Sequence, residues 1–288
     1  GLMLQSILSG LEAGSWYSLL GLAIVVVMKA ADVPNFAMAE IGLFATYIGA
    51  TLAEEGVSFW VAVLVTLVAG VIAAVAIDIA VMRRLAGRGH FPLLLMTIGL
   101  SLALNALIGR IWGQQARRFD APWSGSFLGI GGVDISWSQI VTIVLGLVGA
   151  IAITAFFRSS IGAQMRAVAE DRATARLMGV NVRRVSGIAW GIGGAIAAVA
   201  VMLQAQSTLV STHSASSLII YGFGAATMGG FVSLIGTFVG GLALGIIQAL
   251  AGLYISTRIE FAVALLAVVL VLLARPSGFT AGLRLRDV

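Results

Sequence analysis

Nine long apolar runs follow one another along this chain, and very few folds can accommodate them. They cover roughly Leu2–Met28, Ala37–Ala53, Val57–Met82, Phe91–Trp112, Trp137–Phe157, Val185–Gln206, Ala215–Phe231, Leu234–Tyr254 and Ile259–Ala274. A bilayer core is roughly 30 Å thick and takes about 20 apolar residues of helix to cross. Charge is correspondingly scarce: 10% of residues are charged and 60% are hydrophobic, where a soluble domain carries about 25% charged residues. So few charges cannot cover a water-facing surface, and most of this one must face lipid. In lipid each backbone group must be bonded within the membrane, and the alternating pattern of barrel strands is absent, so the runs are helices. The expected fold is an all-α polytopic integral membrane protein, one transmembrane domain over residues 1–288, with eight to ten spans and nine favoured. The runs Ala37–Ala53 and Ala215–Phe231 are the weakest, being short and interrupted by glycine or polar residues. Either reads as a broken or re-entrant helix, which is tolerated where protein covers it or a cavity adjoins it.

Charge asymmetry gives an orientation. Lys29, Arg83, Arg84, Arg88, Arg158, Arg166, Arg172, Arg176, Arg183, Arg184, Arg275, Arg284 and Arg286 fall on one side of nine alternating spans. Only Arg110, Arg117, Arg118 and Arg258 fall on the other. Cytoplasmic loops collect Lys and Arg, so the first group is expected inside, with an external N-terminus and a cytoplasmic C-terminus. The net charge of +5 therefore reflects topology and not nucleic-acid binding. The chain has no cysteine, and His90 and His213 lie far apart, so neither a disulfide framework nor a metal site is expected. No basic stretch precedes the first run, so no secretory signal peptide is expected.

The one long polar stretch of the basic side is Arg158–Arg184, RSSIGAQMRAVAEDRATARLMGVNVRR. Good helix formers fill Ala163–Met178, and Gly179 stands where a helix C-terminal glycine belongs. A continuous helix there is about 24 Å long at 1.5 Å per residue. Its alanines keep it slim enough for a groove. Arg166 and Glu170 are four apart and can pair, worth only a few tenths of a kcal/mol. An ordinary solvated loop is the plain alternative; the alanines and the glycine stop favour a docking helix.

Acids inside apolar runs are costly, roughly 2.5–3.5 kcal/mol for an aspartate at the centre of a span. Glu12, Glu40 and Asp78 should therefore face protein or water. Glu40 follows the Pro34 break and is the strongest pathway candidate; pairing with a neighbouring helix is the structural reading. Asn105, Gln204 and Gln206 suit a polar path or interhelical hydrogen bonds. The stretch Ser207–Ser217, with His213, reads as an outer loop or turn. Gly113–Ser136 is the longest outer loop, and its Trp123 and the adjoining Trp137 are interfacial anchors or a partner contact. Glycines at Gly10/Gly14, Gly187/Gly191, Gly236/Gly240 and Gly241/Gly245 have the spacing that lets helix backbones approach. No HExxH, GxSxG or close serine–histidine arrangement is present, so an intramembrane enzyme is not expected.

The block Gly162-x-x-x-Arg166-Ala167-x-Ala169-Glu170-Asp171-x-x-x-Ala175-x-x-x-Gly179 resembles the ATPase-coupling motif of the high-affinity branched-chain amino acid permeases of ABC importers. Gly14-Ser15-x-Tyr17-x-Leu19, Asn35-Phe36-Ala37 with Glu40, Thr97-Ile98-Gly99-Leu100-Ser101 and Arg275-Pro276-Ser277-Gly278 agree in order and spacing. The resemblance covers essentially the whole chain. It implies a multi-pass permease subunit of a bacterial inner membrane, paired with a homologous permease that could be a second copy of itself. Two cytoplasmic ATPase subunits and an extracytoplasmic solute-binding protein would complete the importer. The permease would bind no cofactor and do no chemistry; ATP and Mg would be used by the partner ATPase. Arg166, Ala169, Glu170, Asp171, Ala175 and Gly179 would form the coupling site. Asn35, Phe36, Glu40, Thr97, Asn105, Gln204 and Phe223 are the pathway candidates.

Met38-Ala39 stands where the family has His-Gly, and Tyr221-Gly222-Phe223 where it has Lys-Ala-Phe. Both departures lie near the expected pathway and leave the solute open. A branched-chain amino acid type is expected; urea, short amides and small carboxylates are the alternatives within the family. An ion-coupled secondary transporter is the competing class, and it would need paired acids near the midplane instead of a docking helix.

Overall fold

The structure is a computed structural model that describes residues 2–31, 33–85, 89–113, 115–130 and 133–274. Arg88, Arg284, Arg286 and the block Arg275–Gly278 lie outside the described residues. Each apolar run forms one helix. The helices are α1 (Leu2–Ala31), α2 (Met38–Glu54), α3 (Phe59–Leu85), α4 (His90–Trp112), α5 (Trp137–Phe157), α6 (Ser160–Glu170), α7 (Arg172–Leu177), α8 (Val182–Ser207), α9 (Thr212–Met228), α10 (Leu234–Tyr254) and α11 (Glu260–Ala274). A short antiparallel hairpin, β1 (Phe127–Ile130) and β2 (Val133–Ser136), sits between α4 and α5 with Phe127 opposite Ser136.

Among the described residues, six helices are long and apolar enough to cross a membrane: α1, α3, α4, α5, α8 and α10. Helix length therefore marks six spans, and the expected count of nine does not follow from it. The shorter helices are α2 and α9, of 17 residues each, and α11, of 15. The first two are the weak runs of the sequence, and both are largely buried. Val33, Asn35 and Ala37 are buried between α1 and α2, and Gly193 of α8 packs against both Val27 and Met38. Thus α2 begins beside a residue inside α1, because the intervening segment turns back into the bundle.

Helix α1 is the hub. Leu19–Val27 are buried on every face, which fits a helix that is hydrophobic all round. It packs on α10, α8, α9 and α5. The approach to α10 is possible only because both faces lack side chains: a Cβ at Gly14 would stand 2.7 Å from Leu242 Cα, and one at Gly245 would stand 2.2 Å from the Gly10 carbonyl. The Gly10/Gly14 and Gly241/Gly245 pairs read from the sequence are thus each other's partners, and Ser18 Oγ sits across the seam within 2.6 Å of the Gly14 carbonyl and 2.7 Å of the Phe238 carbonyl, its one proton shared between them. By contrast α3, α4 and α5 carry exposed apolar faces, including Trp60, Leu64, Leu102, Ile111, Leu147 and Ile151, as lipid-facing helices must.

The two ends of the bundle differ in chemistry. At one, Arg172 donates to the Ala30 carbonyl, Arg83 to the Arg183 carbonyl, and Lys29 lies 5.8 Å from the Phe157 ring centre. At the other, Arg117 pairs with Glu54 at 2.6 Å and its backbone bridges to Val210. Those described basic residues sort between the two ends as the sequence grouped them.

Candidate functional site: the arginine-rich end and the buried polar residues

The Arg158–Arg184 stretch is two helices, not the single Ala163–Met178 helix expected. Asp171 is extended (φ −153°, ψ 110°) and ends α6. Its carboxylate then caps α7 by accepting from the Ala173 N–H at 2.8 Å and the Thr174 N–H at 3.3 Å. Aspartate prefers this N-cap role to a helix interior, and that preference outweighs the helix-forming residues on either side. The Thr174 hydroxyl, followed by these two N–H groups, holds the Asp171 carboxyl below its ordinary 3.8. Gly179 does end the segment: φ is +83°, and Val180 N–H bonds the Ala175 carbonyl while Gly179 N–H bonds the Arg176 carbonyl. This is the Schellman pattern.

Both short helices are pinned to the bundle. Ser159 Oγ caps α6 at the Gly162 N–H, 3.2 Å away. Met165 and Val168 are buried beneath it, as is Ala175 beneath α7. Arg166 does not pair with Glu170; its guanidinium donates to the carbonyl of Phe157, the last residue of α5. A cation there complements the negative end of the α5 dipole. Ala163, Ala167, Ala169, Glu170, Asp171 and Ala173 face outward. Beyond them Leu177 and Met178 are 87% and 80% exposed, two large apolar side chains on a polar surface.

The interior pathway candidates separate into levels. Asn35 is buried, accepts the Ala37 N–H at 2.9 Å and donates to Met38 Sδ at 3.1 Å, so it shapes the turn into α2. Phe36 stacks on Phe223 with ring centres 4.3 Å apart, and Phe231 adjoins Phe223 at 6.2 Å. All three rings are only half-buried. Glu40 is buried on α2, Ser101 of α4 faces its carboxyl, and its Oε2 has no hydrogen-bond partner among the described residues. Thr97 is buried and donates to its own helix at the Leu94 carbonyl, 2.9 Å away. Asn105 ties α4 to α9 by donating to the Thr212 carbonyl at 3.1 Å, and Gln204 Oε1 has no partner among the described residues. Phe36 and Phe223 are thus brought together, and Ser101, which faces Glu40 from α4, lies one turn along that helix from Thr97. Asn105 and Gln204 join neither group. His213 is exposed on the first turn of α9. Asp78 is buried in a π-turn of α3 (Asp78–Met82), which sets it in register with Arg83 at 2.8 Å and with Ser186 at 2.9 Å.

Sequence reading missed one arrangement. Glu12 accepts from Ser207, has Gln139 beside it, and lines a cavity of about 310 Å³ with Gln206 and Arg118. It missed too that Tyr17 stacks on Tyr221 at 4.3 Å and donates to Gln248 Oε1 at 2.6 Å. These partners lie up to 231 residues apart, and no local pattern announces them. Among the described residues no group of three or more His, Asp or Glu could hold a metal.

Long apolar helices, lipid-facing flanks and a buried polar interior define a multi-pass helical membrane protein. The chain belongs to the family of branched-chain amino acid transport system permease components, whose model matches residues 6–274. Proteins of that description are membrane transport components and not enzymes. The chain is similar to the high-affinity branched-chain amino acid transport system permease protein LivH of Salmonella typhimurium and that of Escherichia coli, each 29% identical over 291 residues, covering 96% of this chain and 94% of the relative. It is also similar to BraD of Pseudomonas aeruginosa, a permease protein of the same printed description, 30% identical over 290 residues with the same coverage.

Proposed function

We propose that this chain is the transmembrane subunit of an ATP-binding cassette importer, and that α6 and α7 are where its ATPase docks. One observation carries the reading: the segment between α5 and α8 folds as two short helices pinned to the ends of α5 and α1. Their outward face sets small residues (Ala163, Ala167, Ala169, Ala173) among charged ones such as Glu170 and Asp171, and exposed Leu177 and Met178 edge it. Small outward residues admit a groove wall closely, and an exposed apolar pair is what a partner surface covers. The arginine-rich end is then cytoplasmic, by the charge rule, in a bacterial inner membrane. A homologous permease, identical or paralogous, completes the pore, and an extracytoplasmic binding protein delivers solute to the Glu12 end. ATP and Mg belong to the ATPase. The permease works by alternating access, with Phe36, Phe223 and Glu40 beside the path. The solute is a small polar molecule of the branched-chain amino acid type, the cargo named for the relatives.

The test is co-purification with the ATPase and uptake in reconstituted vesicles. Leu177→Glu with Met178→Glu should abolish both while the permease itself stays monodisperse. Uptake that persists without ATP and collapses with the proton gradient overturns the importer reading. Competition by urea or short amides in place of leucine reassigns the solute and leaves the docking site standing.

A further inference from the structure

A basic cavity and an apolar groove meet at Arg83 and Arg183. The groove runs between α3 and α8 as a wide, open surface channel of about 620 Å³, walled by residues such as Val71, Val75, Ile188 and Ile192. It is open because Gly187 and Gly191 carry no side chain; a Cβ at Gly191 would come no closer than 3.4 Å to Val75. The cavity encloses about 260 Å³ and is lined by Arg83, Arg172, Arg176 and Arg183. Asp78 is the one carboxylate among its described lining residues, and it is already committed to Arg83 and Ser186.

Among the described residues, side-chain donors here outnumber acceptors. The side chains of Arg176, Arg183 and Arg184 make no ion pair or hydrogen bond among the described residues. Trp190 is fully buried, lines the cavity, and its Nε1–H has no acceptor among the described residues. A buried donor without a partner is destabilising, and a cluster in which Arg176, Arg183 and Arg184 have no acidic partner among the described residues attracts a negative group. The adjoining groove decides which kind. A free anion has no use for an apolar channel; a molecule with a phosphate at one end and an alkyl chain at the other fits both parts.

We propose that this site binds an acidic phospholipid. The headgroup phosphate lies among Arg183, Arg184 and the Trp190 cavity, and one acyl chain lies along the α3–α8 groove past Gly187 and Gly191. Basic pockets between transmembrane helices are the usual seats of acidic headgroups, and the surplus positive charge selects an acidic lipid over a zwitterionic one. Because Arg172 and Arg176 of α7 form the opposite wall, the lipid also bridges α7 to the bundle.

The full chain in nanodiscs of phosphatidylcholine with graded phosphatidylglycerol tests this, read by native mass spectrometry of retained lipid. Wild type should retain phosphatidylglycerol in preference to phosphatidylcholine. Arg183→Ala with Arg184→Ala should weaken retention roughly 25-fold, about fivefold per charge removed. The Lys–Lys variant at the same positions should hold most of it, which separates charge from misfolding. Gly191→Leu fills the groove and should lower retention with all arginines present. Equal retention by the Ala–Ala variant overturns the headgroup site. Displacement of phosphatidylglycerol by millimolar inorganic phosphate shows an anion site only and overturns the lipid. A Gly191→Leu variant that keeps its lipid but loses self-association makes the groove a seat for a second copy of the chain, which also overturns it.

Discussion

Phe36 and Phe223 stack face to face, and the pair joins the re-entrant segment before α2 to the middle of α9. Such a pair contributes about 0.5–1.5 kcal/mol beyond its buried area. Phe223→Leu keeps an apolar side chain but loses the stack and some volume, so the purified chain should lose at least that much stability and unfold at a lower temperature. If both rings also flank the solute path, uptake in vesicles should fall severalfold with ATPase binding unchanged. Unfolding at the wild-type temperature would mean that the stack holds nothing together.

Arg83→Ala should be among the most damaging single changes at the arginine-rich end. It strands the buried Asp78 carboxylate with Ser186 alone. Breaking a fully buried pair from one side costs about 3–5 kcal/mol; with Arg83 31% exposed, a loss below that range is expected. The companion Asp78→Asn with Arg83→Ala should recover a large part of that, since no buried charge remains. Denaturant titration of the two variants checks it, and equal loss in both contradicts the explanation.

Asp171→Ala removes the cap of α7 and should loosen that helix without unfolding the bundle. Hydrogen exchange should speed up at residues 172–177 and nowhere in α1 or α10, and Asp171→Asn should restore protection. The pH dependence has a definite sign. The folded carboxyl is held below its ordinary 3.8 by Thr174 and the two N–H groups, so its capping contribution is complete above that value. It is lost only as pH falls through the depressed folded value. Exchange in α7 should therefore be flat from pH 8 to pH 5, after correction for intrinsic rates, and should rise only in stronger acid.

Gly245→Val should prevent α1 from seating on α10. Even its Cβ would meet the Gly10 carbonyl at 2.2 Å, and backbone cannot give way as a side-chain tip can. Membrane-inserted but protease-sensitive protein is expected. By comparison Gly191→Ala, with 3.4 Å of room, should fold normally. A Gly245→Val protein as protease-resistant as wild type would contradict the close seam.

The apolar runs were legible because membrane burial is written into every stretch of about 20 residues. The break at Asp171 was not: alanine and arginine on both sides argue for one helix, and only the backbone shows that the aspartate caps instead. Spacing revealed that Gly14 and Gly241 belong at helix contacts, but not that they face each other across 227 residues of chain, the separation of those two numbers. Glu40, Phe36 and Phe223 were picked out by chemistry and by resemblance, but the pairings of Glu40 with Ser101 and of Phe223 with Phe36 follow only from the fold. Glu12 was legible only as an acid that must face protein or water, because its partner Ser207 comes 195 residues later.

The kink at Asp171 has a mechanical meaning. Arg166 fastens α6 to the last residue of α5, whereas Arg172 fastens α7 to the next-to-last residue of α1. The two anchor points lie on different helices and share a single extended residue as their joint. A load on α7 therefore enters at the tip of the central helix, which touches α5, α8, α9 and α10. The segment is shaped as a crank whose throw is set by one residue and whose axle is α1.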